Sequence, residues 1–170
     1  MTLPPSARKL ALTAHVATSV GWTGAVAVFF VLSLVGITTT DEGAVRAAYI
    51  AMDVATRFVI VPLAVGSVCT GVVSSLGTAW GLFRYWWVLL KLVITAVATL
   101  VLIVHLQPIR QLSRAAAGST SLGSSLHNPQ VMMVAASGLA LAVLLALTAL
   151  SIYKLKGMTA YGWRKQYEQT

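Results

Sequence analysis

The residues that could do chemistry in this chain sit deep in apolar sequence. His15 lies inside LTAHVATSVGWTGAVAVFF (12–30), and Lys91 lies inside WWVLLKLVITAVATLVLIVHL (86–106), which ends at His105. An ionisable side chain in a membrane span is costly and usually faces a protein interior. A neutral imidazole is a good ligand for haem iron. The plainer reading of His15 is a packed histidine bonded to a Ser, a Thr or a backbone carbonyl. A lysine at such depth can hold a haem propionate or another anion, or donate a proton; otherwise it snorkels to the headgroups. At 1.5 Å rise per residue, His15 lies roughly 9 Å, and Lys91 about 10–12 Å, inside the same side of the bilayer. They therefore share a layer. His105 lies near the opposite surface, on the order of 20–30 Å from His15 along the normal, so the two cannot grip one metal within a monomer.

Two further sets stand out. Asp53 and Arg57 are four apart and share a helix face. They read either as an internal ion pair or as an arginine, braced by Asp53, that binds a propionate or other carboxylate. His105, His127, Met52, Met132 and Met133 gather at the opposite end, and thioethers with imidazoles suit copper. They lack a tight His-x-His or Met-x-x-Met spacing. Cys69 reads as a small packing residue, and one cysteine rules out an intramolecular disulfide and CxxC chemistry. Glycine-rich phosphate loops, acid–base carboxylate pairs and Ser/His/Asp sets are absent from the sequence.

The elements that position these residues follow from composition. Of the 170 residues, 58% are hydrophobic and 9% charged, against about 25% charged in a soluble domain. This is an integral membrane composition. The net charge of +8 does not point to nucleic acid, because the basic residues flank apolar runs. The fold expected is an all-α bundle of four transmembrane helices in one domain, residues 1–170, with spans near 9–37, 45–76, 83–106 and 130–153. The first run is too long for a signal-peptide core and reads as a retained span. Asp41 or Thr40 is placed to cap the second helix. Pro62 should kink it. Pro108 should close the third span, leaving IRQLSRAAA as an interfacial helix in the long 107–129 connection. Arg8, Lys9, Arg84, Lys154, Lys156, Arg164 and Lys165 fall on one side, and Arg46, Arg110 and Arg114 on the other. That bias puts both termini in the cytoplasm of a cell inner membrane. Trp80, Tyr85, Trp86, Tyr161 and Trp163 fit an interfacial aromatic belt on the same side. Ala14, Thr18, Gly21 and Ala25 in span 1, with Gly138 and Ala142 in span 4, suit close helix packing.

His15, then Trp22 and Gly24, with Lys91 opening a later span after Trp87 and His105 ending it, resembles the HemJ-type protoporphyrinogen oxidases and the related CopD-like membrane proteins. The likeness covers spans 1 and 3, under a third of the chain. It implies bound haem b, His15 as axial ligand and Lys91 as its essential, catalytic neighbour, with Trp22 beside the haem. After the span 1 tryptophan the HemJ type runs into an aromatic, basic stretch, whereas this chain continues AVAVFFVLSLVGI without charge. The haem site is thus expected apart from porphyrinogen oxidation.

The resulting expectation is a b-type haem-binding membrane oxidoreductase. His15 is the axial ligand, His105 a weaker alternative, and Lys91, Arg57 and Trp22 line the haem or substrate. A quinone or porphyrin partner and a homo-oligomer are compatible with it. Only one histidine lies in that layer, so the iron would be five-coordinate or carry a weaker sixth ligand, which suits catalysis or gas sensing over simple electron relay. The alternatives are a CopD-like copper or small-solute transporter and a non-enzymatic membrane subunit.

Overall fold

The computed structural model of the chain describes residues 4–77, 85–118, 127–153 and Arg164. Among them the regular elements are helices: α1 (Pro5–Thr38), α2 (Glu42–Ala55), α3 (Val61–Leu76), α4 (Trp86–Ala117) and α5 (His127–Tyr153). A π-helical turn, Thr56–Ile60, joins α2 to α3. With α2, the turn and α3 taken as one helix, four helices are long and apolar enough to cross a membrane. The protein is a four-helix all-α bundle of the multi-pass membrane class. The belt residues Trp80, Tyr161 and Trp163, the basic residues Arg84, Lys154, Lys156 and Lys165, and the glycine/serine-rich part of the third connection lie outside the described residues.

Local chemistry explains the helix ends. Pro5 opens α1, where its missing N–H costs nothing. Asp41 caps α2 by accepting the Gly43 N–H at 2.9 Å. The distortion expected at Pro62 takes the form of the π turn. The Val61 N–H reaches back five residues to the Thr56 carbonyl. A proline has no N–H for the preceding turn and its ring crowds the carbonyl four residues back, and a widened turn relieves both.

Pro108 does not end the third span, and IRQLSRAAA is not a separate interfacial helix. The helix α4 runs through Pro108 to Ala117. Ile109, Leu112 and Ala116 are buried in one cluster with Val45, Tyr49 and Met52 of α2. An interior proline costs about 3 kcal/mol, while full burial of one large aliphatic side chain contributes about 1.5–3 kcal/mol, so the buried stripe outweighs the break. The helix α5 starts at His127, earlier than the expected residue 130.

The spans form a ring. The helix α1 packs on α2, α3 and α5, and α4 packs on α2 and α3; the seam between α4 and α5 is the slightest. The helices α1 and α4 thus stand across the bundle from each other. Small residues set the close approaches: Gly66 meets Thr18, Gly21 meets Leu63, and Gly138 meets Phe30. Ala142 is exposed and takes no part. At Gly36 a Cβ would fall 2.5 Å from the Tyr49 hydroxyl oxygen. Glycine there lets that hydroxyl donate to the Gly36 carbonyl at 3.1 Å. Val20, Val28, Phe58, Leu100, Val104 and Leu139 are exposed, an apolar exterior compatible with contact to a lipid bilayer.

Candidate functional site

At the end of the bundle where α1 begins, His15 turns toward α3. Its Nδ1 lies 3.2 Å from the Ser67 carbonyl oxygen and 3.3 Å from Thr70 Oγ1. A carbonyl can only accept. The Thr70 hydroxyl is already donating to the Gly66 carbonyl at 2.6 Å, so toward His15 it also accepts. Nδ1 therefore carries the proton and Nε2 keeps its lone pair. Nε2 has no hydrogen-bond partner among the described residues. Thr18 and Thr70 hydroxyls meet at 3.3 Å, and Ser19 and Ser67 hydroxyls at 2.8 Å, extending the polar seam between α1 and α3. Gly71 backs the imidazole.

His15 borders a half-open cavity of about 690 Å³ between α1, α3, α4 and α5. That is within the ~300–1,000 Å³ typical of ligand sites. Lys91 lines it from α4, and Arg8 and Lys9 line it at the start of α1. His15 and Lys91 thus face one space from helices that barely touch. The Lys91 ammonium donates to Ser151 Oγ across the α4–α5 seam. Ser151 in turn donates to the Leu147 carbonyl at 2.9 Å. Trp22, 3% exposed, closes the deep end of the cavity. Its indole Nε1 is buried with no acceptor among the described residues.

Arg57 is not brought to this cavity. Its Nε lies 2.8 Å from Asp53 Oδ1 and its Nη2 2.6 Å from Oδ2, a two-pronged ion pair on the helix surface. Fourteen residues separate it from Gly71, about 21 Å along the helix. His105 is equally far from Lys91 along α4, about 21 Å. Its Nδ1 bonds the Val101 carbonyl at 2.8 Å, and its ring borders a separate, small apolar chamber. Of the proposed copper set, Met133 lines that chamber, Met52 is buried in the core and Met132 is exposed. The His127 side chain lies outside the described residues. Among the described residues no cluster of three His, Cys, Asp or Glu is placed to hold a metal ion. Cys69 is exposed and is not a packing residue.

Sequence reasoning overlooked Ser67, Thr70, Gly71 and Ser151. A signal was present. Ser67, Thr70, Gly71 and Ser74 recur at i, i+3, i+4 and i+7, a small and polar stripe on one helix face in an otherwise apolar span.

Fold and cavity define a multi-pass, four-helix membrane protein with a polar, cationic chamber at one end. Comparison with known protein families, with curated proteins and with solved structures finds no match to this chain.

Proposed function

We propose that the protein binds one b-type haem in the basic-end cavity, with His15 Nε2 as axial ligand, and works as a haem-dependent membrane oxidoreductase. The observation that carries this reading is the state of His15: Nδ1 is held by two acceptors while Nε2 is left unpartnered at the border of the cavity. Metal-ligating histidines are held in this way, the second ring nitrogen donating to a carbonyl or carboxylate. Haem, when bound, supplies one-electron redox chemistry at its iron.

The chain's own residues have definite tasks. Ser67 and Thr70 fix the tautomer and aim the ring. Lys91, Arg8 and Lys9 offer cations to the propionates. Trp22 presents an apolar wall and keeps water from passing deeper. His15 is the one histidine among the residues that border this cavity, so it would be the one imidazole available to hold the haem there. The basic end is the cytoplasmic end in this reading, and the membrane is the cell inner membrane. A quinone or porphyrin is the fitting class of partner.

The competing reading is a structural histidine, because the same two hydrogen bonds also satisfy a packed imidazole. The visible spectrum of purified protein, oxidised and dithionite-reduced, separates the two. A Soret band that His15→Ala removes or shifts supports the haem site. A colourless wild type after expression with ample haem overturns it, and tolerance of His15→Gln and Lys91→Met then favours the structural role.

A further inference from the structure

Beyond Trp22 the bundle holds a second space of about 90 Å³, bordered by α1, α4, α5 and the π turn. Its lining is almost wholly apolar: Val26, Phe29, Leu102, Ala98 and Ala140 are typical. Trp22, whose indole N–H has no acceptor among the described residues, is one of its walls, and the other two polar side chains on it are engaged. Ser137 Oγ donates to the Met133 carbonyl at 2.7 Å, and His105 Nδ1 bonds the Val101 carbonyl at 2.8 Å. A water molecule needs two to four polar partners, and an apolar cavity of about 150 Å³ stays dry and takes benzene or xenon. The smaller volume here suits a molecule below the size of an aromatic ring. The chamber lies along the α4–α5 seam, the loosest in the ring. Val101, one of its walls, is 48% exposed, so chamber and bilayer meet there. Trp22 and Leu144 line both this chamber and the His15 cavity.

We propose that this chamber is a binding site for a small apolar molecule of the size of dioxygen, loaded sideways from the bilayer between α4 and α5. Apolar gases favour hydrocarbon over water for the reason that any apolar solute does. The site lies one residue layer from the His15 cavity, separated by Trp22 and Leu144. The proposal stands on the shape and chemistry of the chamber and does not rest on haem.

Xenon tests it in the full chain, in lipid nanodiscs, with alanine methyl groups observed by NMR. The Ala98, Ala136 and Ala140 methyls should shift with xenon pressure and saturate. The methyls of Ala142 and Ala146, exposed on α5, should show a small linear response. Ala140→Leu and, from the opposite wall, Ala98→Leu fill the chamber and should each abolish saturation at the remaining chamber methyls, with helicity unchanged. Dissolved dioxygen should broaden the same methyls by paramagnetic relaxation. The proposal is overturned if the chamber methyls respond no differently from Ala142, or if saturation survives both filling variants. It is equally overturned if saturation appears only after lipid is stripped away, which would make an acyl chain the occupant.

Discussion

Gly71 backs the imidazole of His15 so closely that a Cβ at position 71 would stand 3.1 Å from Cε1 and 3.4 Å from Nδ1. The ring is thus held from two sides, by acceptors at Nδ1 and by bare backbone behind it. Gly71→Val should push the ring off Ser67 and Thr70, and if the proposed haem site holds, haem content should fall as far as is expected of His15→Ala. Gly71→Ala should be intermediate. Overpacking of this kind costs about 1–3 kcal/mol, so both variants remain folded by circular dichroism while the Soret band reports the ring. Full haem content in Gly71→Val would show that the imidazole is not the ligand.

Lys91 and Ser151 separate binding from packing. Lys91→Met removes the cation offered to a propionate in the proposed haem site, and haem should then pass to a scavenger protein several-fold faster. Ser151→Ala removes only the resting partner of Lys91, so release should be unchanged or slower. Equal effects from both variants would make the pair a structural latch between α4 and α5.

The continuation of α4 past Pro108 makes a stability prediction. Leu112 is 2% exposed, so Leu112→Ala should destabilise the bundle by about 2–5 kcal/mol, the usual range for a buried leucine. Gln111 is exposed, and Gln111→Ala should be near neutral. Unfolding in mixed micelles, followed by circular dichroism, gives both numbers. An interfacial helix lying on the lipid would show no such contrast.

The Asp53–Arg57 pair makes another. Removing one partner leaves an uncompensated charge in an apolar setting, so Asp53→Ala and Arg57→Met should each destabilise, by about 1–3 kcal/mol for a charge-assisted hydrogen bond. The double variant should recover most of the loss. Haem content should not change in any of the three, because the pair lies far from His15. A haem loss confined to Arg57→Met would restore Arg57 to the site.

The four spans were legible because unbroken apolar runs leave few other folds for the chain. The shared depth of His15 and Lys91 was legible too, since rise per residue alone sets it. What escaped were matters decided between helices. Pro108 reads locally as a stop, and only the burial of Ile109, Leu112 and Ala116 against α2 shows why it is overridden. The spacing of Asp53 and Arg57 offered both an ion pair and a braced ligand-binding arginine, and only the contact of Asp53 with two of the arginine nitrogens decides for the pair. The partners of His15 went unnoticed because Ser67 and Thr70 are uncharged, although they were the small polar stripe on α3. The slack α4–α5 seam, which gives both cavities their place, has no signature in sequence.

The π turn gives span 2 one residue more than a plain α-helix of the same rise. Met52, Thr56, Ile60 and Ala64 are buried at intervals of four, slower than the 3.6 of an α-helix, and the widened turn absorbs the difference. Each residue advances an α-helix by about 100°. The surplus residue therefore acts as a phase shifter, turning everything after Ile60 by about a quarter of a circle relative to α2. Were the same residues wound as a plain α-helix, α2 would keep its seat on α4 while Ser67, Thr70 and Gly71 swung away from α1; deletion of Val59 would let the turn close to a plain α-helix without that swing. The orientation of His15 thus depends on a count made some 15–20 Å away, at a place that touches neither the imidazole nor the cavity.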